Sequence, residues 1–230
     1  MIKRVKVHVF RVFVNKENRF GNPVGIILDE KKEISLQDRQ VISTKLGFSE
    51  SIFINDLRSG NVSIFNPKRE IDFAGHALVG AAYFISKVMG KTVSFIDCKG
   101  GQIKTWQENS QTWISANLTN TPPWHYEQLQ DPTLVDNLST YQIAVKEHTM
   151  VWAWLDQRKN IVRARTFAPD WGIPEDEANG SGSMQLAAQL NKKLEIHHGK
   201  GSLIYSKPAE TGFSDVGGKV EEDDSQEIKV

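Results

Sequence analysis

Four side chains in this sequence have the types and settings that proton transfer on carbon requires. Glu50 follows the turn Gly47-Phe48-Ser49 and opens the apolar run Ser51-Ile52-Phe53-Ile54. A carboxylate at the mouth of a strand is partly desolvated, and desolvation raises its pKa toward the range of a general acid/base. His76 lies between Gly75 and the start of an apolar helix, where the positive helix end favours neutral imidazole. Asp176 precedes Ser181 by five residues in an acidic, glycine-bearing loop. Each has a plainer alternative. Glu50 is one of many surface carboxylates, His76 is a helix-end histidine bonded to backbone, and Asp176 or Ser181 caps the next helix.

The elements that would position these groups form an internal repeat. The first copy runs Phe65-Asn66-Pro67, Ile71, Ala74-Gly75-His76 and Ala81-Ala82. The second runs Phe167-Ala168-Pro169, Ile173, Ala178-Asn179-Gly180-Ser181 and Ala187-Ala188. Each copy reads as strand, loop, glycine and a buried small-residue helix, the helices expected at 75–90 and 182–190. Helix N-termini offer free N–H groups and a positive dipole end. Two of them aimed at one cleft, through Gly75 and Gly180, would hold an anion, and a carboxylate is a natural guest. Chance similarity in a chain rich in alanine and glycine is the alternative.

Around the repeat, alternation predicts strands at 5–14, 24–28, 51–54, 62–65, 93–98, 102–106, 113–118, 149–155, 161–167, 202–205, 216–220 and 228–230. Ser35 and Gly47 bracket a helix over 35–46. Pro122-Pro123 marks a break, which divides the chain into lobes at 1–118 and 119–230, and residues 126–140 are weakly patterned. Asn22-Pro23 is good turn chemistry that could also face a ligand. Asp72 stands close enough to Gly75 to belong either to the site or to solvent. His197 and His198 are adjacent, so their side chains would diverge in a strand and not share a metal. Trp152 and Trp154 would share one strand face, more simply core than ligand.

Composition narrows the classes further. The chain has 230 residues, 28 basic and 28 acidic side chains, and 39% apolar residues. That suits a globular protein with a real core and gives no basic surplus for nucleic acid. Met1-Ile2-Lys3-Arg4-Val5-Lys6 lacks the apolar core of a signal peptide, and no window approaches a membrane span. A cytoplasmic location is the expectation. Cys98 is the single cysteine, expected in the core, which excludes an internal disulfide and any mechanism needing two thiols. No metal is expected, and dinucleotide, nucleophile-elbow and phosphate-loop motifs are all missing.

The motifs Phe20-Gly21-Asn22-Pro23-Val24-Gly25, Gly47-Phe48-Ser49-Glu50-Ser51, Phe73-Ala74-Gly75-His76 and Gly172-Ile173-Pro174-Glu175-Asp176-Glu177-Ala178-Asn179-Gly180-Ser181, in this order, resemble the phenazine-biosynthesis PhzF-like family of the diaminopimelate-epimerase-like superfamily. The resemblance spans nearly the whole chain. It implies an α+β fold of two pseudo-symmetric lobes, each a mostly antiparallel sheet curled round a central helix. It also implies a cofactor-independent isomerase that moves a proton on carbon of a small unsaturated or amino carboxylic acid, and a homodimer. Glu50 takes the place of the family's acid/base carboxylate, and His76, Asp176 and Ser181 match its other polar site residues. Gly75 and Gly180 match the positions that hold the substrate carboxylate.

Three departures bear on this expectation. Ala77-Leu78 replaces the Pro-Thr that often follows the first Gly-His. Asn179 stands where the family often has threonine. The chain is also several tens of residues short, a deficit expected between Leu155 and Ile161 that would shorten the second lobe. A relative that binds a small carboxylate without turning it over is therefore the alternative. Racemisation between two thiols, as in the epimerase branch, would need a cysteine at each helix start.

Overall fold

The structure is a computed structural model that describes residues 4–139 and 147–230. The start of the N-terminal hexapeptide and the end of the weakly patterned stretch, residues 1–3 and 140–146, lie outside the described residues. Strand β1 (Arg4–Val14) shows how the wall of the first half is built. Val5, Val7 and Val9 point to an outer apolar cluster, whereas Phe10 and Val12 point to the main core. Period-two alternation with apolar residues on both faces makes a strand buried on both sides.

β2 (Asn22–Leu28), β3 (Glu50–Asp56), β4 (Asn61–Phe65), β6 (Phe95–Cys98), β7 (Gly101–Glu108) and β8 (Gln111–Asn117) continue that wall, and the two-residue β5 (Glu70–Ile71) hangs on β4. The late strand β15 (Phe213–Glu222) pairs with β8 through Phe213–Gly218 and with β1 through Lys219–Glu222. The order β1-β2-β3-β4-β6-β7-β8-β15 therefore returns to β1 as a closed barrel, which leaves no free edge. Helix α1 (Leu36–Leu46) covers its outside, started by the Ser35 hydroxyl on the Asp38 N–H and ended by Gly47 at φ +67°. Helix α2 (Gly75–Met89) fills its inside and is buried almost all round, as its small and apolar composition requires.

The second half repeats this plan. β9 (His125–Gln128) and β10 (Thr149–Asp156) are parallel like β2 and β3, with the short helix α3 (Pro132–Asp136) between them where α1 stands. β11 (Ile161–Ala168) and β13 (Leu194–His198) are parallel like β4 and β6. Between them lie β12 (Ile173–Asp176) and helix α4 (Gly180–Leu190), the counterparts of β5 and α2. β14 (Ser202–Pro208) then leads back to β15, and β16 (Gln226–Lys229) pairs with β1. Among the described residues, sixteen strands form one α+β sheet system of two pseudo-symmetric halves, and α2 and α4 share one core cluster.

The structure moves the expected deficit. The turn from β10 to β11 has the length of the turn from β3 to β4. Both have a bulge before the closing aspartate, and Asp56 and Asp156 each accept two backbone N–H bonds from the turn. Nothing is missing between Leu155 and Ile161. The asymmetry lies at β9, which ends the second sheet among the described residues, whereas the first sheet closes on itself. β9, α3 and β13 were not expected as elements. β9 and α3 are too short to carry a period. α4 begins two residues before its expected start because Asn179 Oδ1 accepts the Gly182 N–H at 2.6 Å and so caps the helix at Asn179.

Candidate active site

The loops after β5 and β12 bring the two buried helices together end to end. A Cβ on Gly75 would lie 3.0 Å from the Ser181 nitrogen, and one on Gly180 would lie 3.0 Å from the His76 nitrogen. Only glycine permits that approach. α2 has no side-chain cap and no acidic residue in its first turn. Its leading N–H groups and positive dipole end thus meet those of α4.

Glu50 and His76 meet beside this junction. Glu50 is the first residue of β3, in register with Val24 of the parallel β2. His76 occupies the first turn of α2 and its side chain is 4% exposed. His76 Nε2 stands 3.3 Å from Glu50 Oε2, yet among the described residues both buried atoms lack a hydrogen-bond partner. Burial pushes the Glu50 carboxyl up to about 8, with the nearby Asp176 charge adding to the effect and the Ser49 hydroxyl opposing it. Burial pulls His76 down to about 3, so its imidazole is neutral. Neutral imidazole beside a protonated or ionised carboxyl forms a group that can hold or release one proton near neutrality.

Asp176 ends β12 and is also buried, which pushes its pKa upward. It opposes that with two amide donors, Asn22 Nδ2 on Oδ1 at 2.5 Å and Asn179 Nδ2 on Oδ2 at 2.8 Å. Two such donors favour the ionised form, so of the two carboxyls Glu50 is the one that keeps the proton. Ser181 is buried, and its Oγ accepts the indole N–H of Trp124 at 2.9 Å.

Asn22 and Asp72, both expected near a ligand, are engaged by other partners. Asn22 commits both amide N–H groups to the second half of the repeat, on Asp176 and on the Ala178 carbonyl, while its Oδ1 accepts the Ser49 hydroxyl at 3.3 Å. It is a clamp across the halves with no donor left for a ligand. Asp72 is turned outward: its side chain is 61% exposed and pairs with Lys99 at 2.8 Å, while its carbonyl accepts the Gly100 N–H. Glu50, His76, Asp176, Ser181, Gly75 and Gly180 do converge.

Three contributors were not expected at the site: Trp124 was not singled out, Ser49 was noted only within the motif around Glu50, and His198 only as a histidine that would not share a metal with His197. Ser49 and Trp124 lie in segments without a helical or strand period, and only their partners reveal them. His198 is buried against Thr166 Oγ1 and the Glu177 carbonyl, both at 2.9 Å, and faces the Asp176 charge. Its neighbour His197 points outward to Glu195. Among the described residues no group of His, Cys, Asp and Glu could hold a metal ion.

The family model for PhzC-PhzF, described as phenazine biosynthesis-like protein, matches residues 11–155, more than half of the chain. The chain belongs to this phenazine biosynthesis-like family. One curated relative is trans-2,3-dihydro-3-hydroxyanthranilate isomerase from Pseudomonas aeruginosa, 25% identical over 217 residues, with 78% of each chain covered. An uncharacterized isomerase from Deinococcus radiodurans is 26% identical over 238 residues, covering 80% of this chain and 77% of its own. In fold, this PhzF-like chain matches a phenazine biosynthesis protein of the PhzF family from Enterococcus faecalis, with a TM-score of 0.79, 16% identity, and 99% and 100% of the two chains covered. It also matches a hydroxyproline epimerase from Agrobacterium vitis at a TM-score of 0.62 and 9% identity, over 99% and 93% of the chains. The PhzF-like chain has no helix long and apolar enough to cross a membrane among its described residues.

Proposed function

We propose that this protein is an isomerase that moves a proton from one carbon to another of a small unsaturated, amino-substituted carboxylic acid, without a cofactor. The observation that carries this reading is the Glu50 carboxyl. It is buried, raised toward neutral pH, and 3.3 Å from a neutral His76 at the meeting point of two helix N-termini. The N–H groups near Gly75 and Gly180 take the substrate carboxylate. Ionised Glu50 takes a proton from carbon, and the electron pair left behind delocalises along the substrate's double bonds. Glu50 then returns the proton to a second carbon, so that nothing is oxidised or reduced. His76 stands 3.3 Å from the same carboxyl and confines it, and the Asp176 charge raises its pKa, so that Glu50 in its ionised form is basic enough to take the proton. Support for the isomerase class comes from the relatives named as isomerases.

The test is incubation in deuterated water with trans-2,3-dihydro-3-hydroxyanthranilate, the compound in the relative's name, and with other unsaturated amino acids. Deuterium on carbon, seen by NMR, is the expected result, and Glu50→Gln should lower its rate by at least about a hundredfold. Binding without label in the wild-type protein would favour the carboxylate binder instead. Undiminished exchange in Glu50→Gln would overturn the assignment of the base.

A further inference from the structure

Residues 121–126, which join β8 to β9, are pinned along one face of α4. Gln185 Nε2 donates to Thr121 Oγ1 at 2.7 Å and to the Pro122 carbonyl at 2.8 Å. The Tyr126 hydroxyl donates to the Gly182 carbonyl at 2.9 Å. Between these anchors the Trp124 indole N–H reaches Ser181 Oγ. The ring itself sits in an aromatic cradle, edge-on to Trp171 with centroids 5.0 Å apart and edge-on to His148, which stacks on Trp171 at 4.4 Å. His148 is fixed in turn by Asp170, 2.8 Å away. The cradle thus joins His148, just before β10, to Asp170 and Trp171, in the segment that runs on into β12 and Asp176.

We propose that Trp124 is a positioning residue for the site: its N–H holds the Ser181 oxygen and leaves the Ser181 proton to the carboxylate of a bound acid. An indole N–H can only donate, so the serine oxygen is the acceptor. Capping of α4 is performed by Asn179, which relieves Ser181 of that task. Ser183, two residues further along, spends its hydroxyl on the Asn179 carbonyl. The Ser181 hydroxyl donates to no acceptor among the described residues, although the residue is buried beside the paired helix ends. A buried hydroxyl with its oxygen engaged and its proton unspent is preorganised as a donor. Packing alone would be served equally well by phenylalanine in the same cradle.

The proposal rests on the carboxylate site described above, and its test separates the two. The six tryptophan indole N–H signals are recorded by NMR on 15N-labelled protein, and that of Trp124 is identified by its loss in Trp124→Phe. Ser181→Ala should move this signal and leave the other five in place. Anthranilate, a planar amino acid carboxylate, serves as the binding probe. Its Kd should rise about tenfold in Trp124→Phe, the size expected for one hydrogen bond to a charged group. Trp124→Phe/Ser181→Ala should bind no more weakly than Ser181→Ala alone, with thermal midpoints of the single variants within a few degrees of wild type. An unmoved indole signal in Ser181→Ala, or additive losses in the double variant, would overturn the positioning role. Failure of the wild-type protein to bind anthranilate, with the indole signal still responding to Ser181→Ala, would instead count against the carboxylate site and so against the ligand half of this proposal.

Discussion

Gly75 and Gly180 face each other at the starts of the two buried helices, each so close that a methyl group on it would stand 3.1 Å from the other's Cα. One contact joins the halves of the repeat and aims both helix N-termini at one place.

That contact predicts the cost of filling it. Alanine in place of glycine within a helix usually gains about 1 kcal/mol. Here the obstacle is backbone, which yields poorly, so Gly75→Ala should instead lose about 1–3 kcal/mol. Urea denaturation measures this, and a gain in stability would show that the helix ends part easily.

The raised Glu50 carboxyl predicts a pH dependence of stability. The folded protein retains a proton that the unfolded chain gives up between about pH 4.5 and pH 8. Stability from this group is therefore complete below pH 4.5 and is lost as pH rises through 8. Glu50→Gln carries no such charge, so its thermal midpoint should overtake that of the wild type over this window, by a few degrees at one pKa unit of relief, or about 1.4 kcal/mol. His76 works on the acid side: its contribution is present above pH 6.5 and is lost as pH falls toward 3.

Asn22 ties the first residue of β2 to Asp176 and Ala178 across the halves. Asn22→Ala leaves a buried carboxylate with one amide donor fewer. A loss of about 2 kcal/mol is expected in chemical denaturation, the usual range for a hydrogen bond to a charged group. Anthranilate binding, measured under conditions where the variant stays folded, should not fall further than that loosening implies, since Asn22 offers no donor to a ligand.

Cys98 is buried, and burial pushes its thiol up to about 11. Iodoacetamide at neutral pH should therefore leave the native protein unmodified and its carbon exchange intact, whereas the denatured chain should react fully. Mass spectrometry reads the outcome, and inactivation by the reagent would point to a thiol mechanism that the site geometry does not contain.

Much of this architecture is legible in the residue pattern alone. Val5 to Val14 alternate, Ser35 and Gly47 bracket α1, and the run from Gly75 to Met89 has no polar face, so local pattern suffices for these elements. The family motifs name Glu50, His76, Asp176 and Ser181 together. Asn22 and Asp72 show the limit. Asn22 belongs to a family motif and Asp72 lies three residues before Gly75, yet one became a clamp and the other turned to Lys99, because the direction of such a side chain is set by which partner the fold places within reach. The expected place of the deficit does not fit the internal repeat: the β10–β11 turn matches β3–β4 in length, and the open place is the pairing of β9, a non-local property.

The sequence by itself determined the strands and helices with a clear period, the glycine-led helix starts and the single cysteine, and it named the candidate polar residues, since each depends on residue type and short spacing. Only the tertiary structure decided that β15 closes the first barrel, that Gly75 and Gly180 touch, that Glu50 Oε2 and His76 Nε2 are buried without other partners among the described residues, and that Trp124 reaches Ser181. These relations join residues 26 to 212 positions apart. They depend on burial and close approach, which no local propensity encodes.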